Sequence, residues 1–355
     1  MSVIIQKYSP DISSQYQQLL EESPMAMFNH SLLYRELLKA VLPETTDHYL
    51  CAFQRDELVA VLPTFTKQGL YGTVVNSLPF YGSHGGFVYK RNTDSEVFEA
   101  LTNALHVFCE KVGAFSCTLI ESPFDCDNGR YGRFKANLFD ERIGQITPLP
   151  SGVGPDGLAG VLMGMYHQKT RNMVRKGMKC GFEVSHDGSG STITALHAIH
   201  EENIRKIGGE AKPLNVFQSI AAIFEYDRDY RIYIAYKDGQ IVSALLLFYF
   251  KDTVEYFCPA TVHSYRSDQP LSLLIFTAMQ DAILERGSRY WNWGGTWISQ
   301  SGVYLFKTRW GTKDFCYRYH TKIKSDLKPC MFDKNVLIND YKYFYTIPFN
   351  VAGSR

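Results

Sequence analysis

The segment Gly302-Val303-Tyr304-Leu305-Phe306-Lys307-Thr308-Arg309-Trp310-Gly311 sets two cations among aromatic side chains. A lysine so placed is partly desolvated and well suited to stabilise developing negative charge, so Lys307 is the first candidate for chemistry, with Phe306 fixing its setting. If this stretch is extended, Lys307 and Arg309 point to the same side; the plainer reading is a pair of surface charges on an edge strand. Just upstream, Tyr290-Trp291-Asn292-Trp293-Gly294-Gly295 reads as a strand ending in a double glycine. Trp291, Asn292, Trp293 and Tyr304 join Arg309 as candidate substrate contacts.

Two further stretches are candidates for binding. Leu78-Pro79-Phe80-Tyr81-Gly82-Ser83-His84-Gly85-Gly86-Phe87 is a glycine-rich turn whose amides could converge on an anion or carbonyl, with Tyr81, His84 and Gly85 as contacts. An ordinary hairpin connection explains it equally well. His167 to Lys179 reads as a helix carrying Lys169, Arg171, Arg175 and Lys176 on two adjacent stripes, with no acidic residue from Tyr166 to Gly181. That pattern suits phosphate or RNA-backbone contact, although a solvated face is the common meaning of such a run. Arg205 and Lys206, at the end of a helix expected from Thr194 to Ile207, are weaker candidates. His197 and His200 share a face at metal-compatible spacing but lack a third ligand, so no metal is expected.

The usual signatures of nucleotide hydrolysis, zinc proteolysis and α/β-hydrolases are missing from the sequence, and no G-x-G-x-x-G of dinucleotide redox chemistry follows an expected strand. The eight cysteines are never closer than eight residues apart, which leaves no C-x-x-C for zinc or redox work. With 37 Lys+Arg against 36 Asp+Glu the net charge is +1, so any nucleic-acid contact must be local, and DNA is not an expected partner. No apolar run spans a bilayer. The expected setting is a reducing cytoplasm, with at most peripheral contact with the inner membrane face.

At 355 residues the chain has room for about two domains, and the sequence points to a duplication. Ala52 to Leu62 parallels Ala235 to Leu245, each reading as strand, polar turn, strand, at an offset of 235 − 52 = 183. A helical stripe ending at Gly113 before a strand is matched by one ending at Gly287, at an offset of 287 − 113 = 174. Two collinear correspondences predict tandem α+β (α/β three-layer) copies: 1–150 and 159–322, joined through the Gly- and Pro-bearing stretch 148–155. A tail, 323–355, is expected to pack back on a domain.

The chain resembles the FemABX-like branch of the GNAT superfamily, whose members carry two tandem GNAT-type acyltransferase domains. The resemblance runs from about Tyr34 to Lys322. It rests on LPFYGSHGG, on KTRNMVRKGMKCGFEV, and above all on PLSLLIFTAMQDAILERG leading into YWNWGG together with GVYLFKTRWG. The branch typically has an aromatic-Asp-aromatic-Gly-Gly strand end, and Asn292 departs from it. The resemblance implies an amide-forming transferase with no tightly bound cofactor, in which Lys307 stabilises a tetrahedral oxyanion and Phe306 fixes its setting. It further implies aminoacyl-tRNA as donor and an amine-bearing peptide or amino-sugar precursor of the cell envelope as acceptor; Lys169, Arg171, Arg175 and Lys176 of the basic helix would then bind phosphates, either of a tRNA acceptor end or of a nucleotide- or lipid-linked sugar. Acyl-CoA is the alternative donor, with an amino sugar of polysaccharide biosynthesis as acceptor. Against it, Thr261 to Pro270 occupies the place of the CoA-pyrophosphate loop without a single glycine. The third possibility is a non-catalytic binder of glycan or RNA.

Overall fold

The structure, a computed structural model, describes residues 2–80, 84–125, 129–297 and 299–353. The chain divides into two compact units, 1–142 with 316–355, and 143–315. The stretch 148–155 lies inside the second.

Unit 1 contains β1 (Ile4–Lys7), α1 (Ser13–Glu22), α2 (Leu32–Val41), β2 (Thr45–Asp47), β3 (Leu50–Gln54), β4 (Glu57–Leu62), β5 (Phe65–Gly69), β6 (Gly72–Asn76), β7 (Val88–Tyr89), α3 (Ser95–Lys111), β8 (Ala114–Ile120) and α4 (Gly129–Gly132). Strand β9 (Leu138–Pro148) then carries the chain into unit 2. There follow α5 (Pro155–Met165), α6 (Gln168–Lys179), β10 (Glu183–His186), α7 (Gly190–Arg205), α8 (Leu214–Ile223), β11 (Tyr230–Lys237), β12 (Gln240–Phe250), β13 (Thr253–Thr261), α9 (Pro270–Leu284), β14 (Tyr290–Trp297) and α10 (Ser301–Thr308). Strand β15 (Lys313–Ile323) returns to unit 1, which closes with α11 (Lys334–Asp340).

The mixed α/β architecture repeats one plan. In unit 1, β3 and β4 form an antiparallel hairpin whose turn, Arg55-Asp56, is left-handed at both residues (φ 50° and 64°). In unit 2, β11 and β12 do the same through Asp238-Gly239 (φ 53° and 75°). A turn of this kind matches the right-handed twist of the flanking strands. Each hairpin slips register once, between Ala52 and Phe53 and between Ala235 and Tyr236, again 235 − 52 = 183 residues apart. Helix α3 then feeds β8, which lies parallel to β6, as α9 feeds β14 parallel to β13. Each helix is left through a left-handed glycine, Gly113 (φ 64°) and Gly287 (φ 61°). The duplication read from the two sequence offsets is therefore a repeat of backbone geometry down to a bulge and a cap.

The strand order is β10-β11-β12-β13-β14-β9 in unit 2; in unit 1 it is β15-β8-β6-β5-β2, with β1-β3-β4-β7 as a separate sheet. The core of unit 2 gathers Leu158 and Leu162 of α5, Val174 of α6, and Leu274, Ala278 and Met279 of α9 on one sheet face, with Trp291, Trp293 and Trp310. Helix α7 lies against β12 and β13. The last segment of the chain is tied to unit 1: Tyr341 accepts from the Tyr71 amide (2.8 Å) and donates to the Gly72 carbonyl (2.9 Å), and Asn76 bonds both backbone groups of Tyr345. Among the described residues no helix is long and apolar enough to cross a membrane.

Candidate active site

The site of unit 2 begins where two parallel strands part. Among the described residues strand β13 pairs with β14 through Thr253, Val254 and Glu255 against Tyr290, Trp291 and Asn292, while β13 stays paired with β12 as far as Thr261. Beyond Glu255 and Asn292 the sheet opens. A cavity of about 230 Å³ lies at its mouth, lined by Pro259, Ala260 and Thr261 of β13, Arg266 and Gln269, the first turn of α9, Asn203 and Phe306. A cleft outside the carboxyl ends of parallel strands is where open α/β sheets bind ligands.

Lys307 sits on the β14 side of this opening. Residues 301–308 are helical, which corrects the extended reading of this stretch. The physical reason is the aromatic spacing: Phe306 and Trp310 are four apart, one helical turn, and they meet at 6.3 Å between ring centroids as neighbours on one face. Lys307 and Arg309 consequently do not share a side. Lys307 is buried at 7% exposure, and Arg309 caps the helix, its carbonyl accepting from the His167 amide (2.9 Å).

The Lys307 ammonium donates to Thr296 Oγ1 (2.8 Å) and to the carbonyls of Gly295 (3.3 Å) and Gly294 (3.4 Å). Burial pulls its pKa from 10.5 down to about 8, close to the point where the charge is lost. Gly294 has φ 71°, which a β-carbon would strain, and this turn is what presents its carbonyl. Behind Lys307 stands Gln145, fully buried, which accepts from Thr296 (3.4 Å) and donates to Thr308 Oγ1 (3.0 Å) and the Tyr304 carbonyl (3.4 Å). It ties β14 to α10. Trp293 donates to Thr147 Oγ1 (2.9 Å), which donates to the Trp310 carbonyl (3.1 Å), and Phe306 stands edge-on to Trp293.

Strand periodicity sends Asn292 to the face opposite Trp291 and Trp293. Both indoles are sealed in the core, so their part is to hold β14. Asn292 donates from Nδ2 to Glu255 Oε2 (2.7 Å) and accepts the Gly294 amide at Oδ1 (2.9 Å). Glu255 of the neighbouring strand thus stands against Asn292, and an acid at position 292 would face its carboxyl group. Burial raises the Glu255 pKa from 4.5 to about 8, and its Oε1 is enclosed without a hydrogen-bond partner among the described residues. Buried polar atoms left so are uncommon in proteins. Glu255, Gln145 and Thr296 escaped the sequence reading. The only signal was a charged residue in an otherwise apolar strand, Val254-Glu255-Tyr256-Phe257-Cys258.

The other candidates are dispersed. Helix α6 forms as expected; Arg171 is committed to the Tyr166 carbonyl (2.6 Å) and Lys176 to Asp268 (3.3 Å), leaving Lys169 and Arg175 exposed without partners among the described residues. Arg205 and Lys206 end α7 on an exposed face, Lys206 paired with Glu202 (2.7 Å). Tyr304 donates to Asp314 (2.6 Å). His200 spends both ring nitrogens, on the Lys212 amide (3.2 Å) and the Cys258 thiol (3.5 Å). The segment expected to replace the pyrophosphate loop is a 3₁₀ turn, His263–Asp268, followed by left-handed Gln269 and by Pro270, which brings no N–H to the start of α9.

In unit 1, Tyr81, with Gly82 and Ser83, lies outside the described residues. His84 is buried, 4.9 Å from the Tyr317 ring. A β-carbon at Gly85 would fall 1.6 Å from the Ser77 carbonyl oxygen, and one at Gly86 would fall 2.6 Å from that of Ile120. The Gly85 carbonyl accepts from His30 (3.0 Å), and the Gly86 amide donates to Ser77 Oγ (3.2 Å). Close packing alone accounts for both glycines. A wider cavity of about 370 Å³ lies between α3 and β15, lined by His106, Cys109, Cys117 and Lys322. Lys322 there donates to His106 (3.3 Å) and burial pushes the Cys117 thiol up, so its groups are poorly placed for nucleophilic chemistry.

Residues 166–307 match the acetyltransferase (GNAT) domain family. No curated protein matches the sequence. Among solved structures, FemX is similar over 90% of this chain and 97% of its own, at 14% identity and a TM-score of 0.69. A tandem GNAT protein from the clavulanic acid biosynthesis pathway is similar over 92% of this chain and all of its own (100%), at 10% identity and a TM-score of 0.54. L-PGS from Bacillus licheniformis is similar over 90% of this chain and 94% of its own, at 13% identity and a TM-score of 0.55.

Proposed function

We propose that this chain is an acyltransferase of the GNAT type, with the tandem architecture of the FemABX-like branch, and that it forms amides, moving an aminoacyl group from a tRNA ester to an amine of a cell-envelope precursor or amino sugar. The observation that carries the reading is the Lys307 ammonium, desolvated yet held by three oxygens beside the opening of β13 and β14. As a neutral amine attacks the donor carbonyl, the C–N bond forms and the carbonyl oxygen becomes an oxyanion. A fixed cation in a water-poor site stabilises that charge without reorganising. Collapse expels the ester oxygen, which leaves with a proton. Glu255, when ionised, takes at its unpartnered Oε1 the proton that the nitrogen must lose once the C–N bond has formed, and returns it to the departing ester oxygen.

The donor preference rests on the segment between β13 and α9. Its Tyr265 and Gln269 amides are spent within the turn, α9 opens on proline, and Asp268 puts a carboxylate where a pyrophosphate would need donors. The exposed Lys169 and Arg175 of α6 suit the phosphates of a tRNA acceptor end.

The test offers labelled aminoacyl-tRNA pools and acyl-CoAs separately to the purified protein, with a cell extract supplying amines and Lys307→Ala as control. Transfer from tRNA, abolished by RNase and by the substitution, is the expected result. Transfer from CoA alone moves the protein to N-acylation of an amino sugar, and silence with both donors refutes transfer.

A further inference from the structure

From Cys258 to Thr261, after its register shift against β12, strand β13 alternates regularly, and the alternation decides which backbone groups face the cleft of unit 2. The Val262 amide donates to the Val242 carbonyl (2.9 Å), so Val262 and Ala260 turn their backbone groups to β12, while Pro259 and Thr261 turn theirs away from it. On that side β14 has already parted: among the described residues its pairing with β13 ends at Glu255. Pro259 and Thr261 therefore form a strand edge along the cavity of about 230 Å³. An open edge pairs with an extended chain of amides, whose N–H and C=O groups continue the ladder.

Asn203 of α7 occupies this edge. Its Nδ2 donates to the Thr261 carbonyl (2.9 Å) and its Oδ1 accepts the Thr261 amide (3.2 Å), so one half-buried side chain makes both bonds that a neighbouring strand would make. The assignment is unique, because a backbone N–H only donates and a carbonyl only accepts. Thr261 is also fixed through its hydroxyl, which lies 2.9 Å from Ser243 Oγ. Residue 259 is proline and brings no N–H. From Cys258 to Thr261 the Thr261 amide is thus the single backbone donor directed at the cleft, and Asn203 consumes it. What this edge leaves to a ligand is an acceptor, the Pro259 carbonyl.

We propose that Asn203 is a specificity-determining residue, which closes the cleft edge of β13 to acyl carriers that bear an amide chain. The inference deepens the donor reading above and rests on it. The pantetheine arm of an acyl-CoA carries secondary amides, and in a cleft that excludes water each needs a donor for its carbonyl as well as an acceptor for its N–H. The closed edge supplies only the acceptor, so the arm is left with an unsatisfied carbonyl and is discriminated against. The terminal ribose and phosphates of an aminoacyl-tRNA contain no such amide and lose nothing at this edge.

The test uses the full chain and D-pantetheine with a reductant, followed by saturation-transfer NMR up to tens of millimolar. The wild type is expected to stay silent, and Asn203→Ala, which bares both Thr261 groups, to bind at least about tenfold more tightly. Asn203→Asp is the sharper probe. Its carboxylate still accepts the Thr261 amide but cannot donate to the carbonyl, so the edge's donor stays consumed and this variant should be as silent as the wild type. Equal binding by the wild type and Asn203→Ala overturns the proposal, since the arm then displaces the side chain. Silence of Asn203→Ala overturns it too, as does binding by Asn203→Asp as tight as by Asn203→Ala. If Asn203→Ala does not fold, Asn203→Ser, whose side chain is too short to reach both Thr261 groups, takes its place. Absence of transfer from every donor would refute the transferase reading and leave this comparison standing, because it measures binding without turnover.

Discussion

Replacing Lys307 by Met separates what this lysine does for catalysis from what it costs the fold. Its pKa lies at about 8 in the folded chain against an ordinary 10.5. At ~1.4 kcal/mol per pH unit, keeping it charged near neutrality costs on the order of 3 kcal/mol. Met removes that cost but leaves Thr296 Oγ1 and two carbonyls short of a donor, a loss of about 1–3 kcal/mol. The two terms nearly cancel, so the variant should be about as stable as the parent at roughly pH 7. The sign of the pH dependence is the sharper test. Between about pH 8 and 10.5 the unfolded lysine binds a proton that the folded one does not, so this residue makes wild-type stability rise with pH across that window. The rise should be absent from Lys307→Met. Urea unfolding of both proteins at about pH 7 and about pH 10 reads the difference, expected near 3 kcal/mol. Transfer by the variant should fall about a hundredfold or more, through kcat. A pH-independent stability difference would refute the desolvated ammonium, and a loss below about tenfold would refute its part in stabilising the oxyanion.

Because Glu255 must be ionised and Lys307 protonated, the wild-type rate should follow a bell centred near pH 8, and Glu255→Gln should abolish the acidic limb while lowering the maximum. The raised Glu255 pKa also gives stability that is present at low pH and lost as pH climbs through about 8, so Glu255→Gln should flatten the acid side of the unfolding curve. Gly85→Ala drives a β-carbon into the Ser77 backbone, and an expected loss of at least about 3 kcal/mol should appear as a fall in Tm or as insoluble protein. Lys169→Ala with Arg175→Ala should weaken tRNA binding and shallow its salt dependence by about 1–2 in log-log slope, with no effect on transfer from a small aminoacyl ester.

Much of the architecture is legible in the chain because it is local. The hairpins declare themselves through alternation around Arg55-Asp56 and Asp238-Gly239, and α3 and α9 through their stripes and the glycines that end them. The duplication follows by comparing offsets. Residues 301–308 were harder, because a short run with aromatics at both even and odd positions fits a strand or one turn of helix. Packing of Phe306 and Trp310 against Trp293 decides for the helix.

The chemistry divides along the same line. Lys307 stands out from its neighbours alone, since residue type and aromatic company are properties of the sequence. That burial lowers its proton affinity, that Thr296 and Gln145 orient it, and that Glu255 faces Asn292 all depend on which strand lies beside which. Residues 37 and 151 positions apart meet there. A charge's proton affinity is set by the water it loses and the dipoles it gains, and both are assigned only when distant segments close around it.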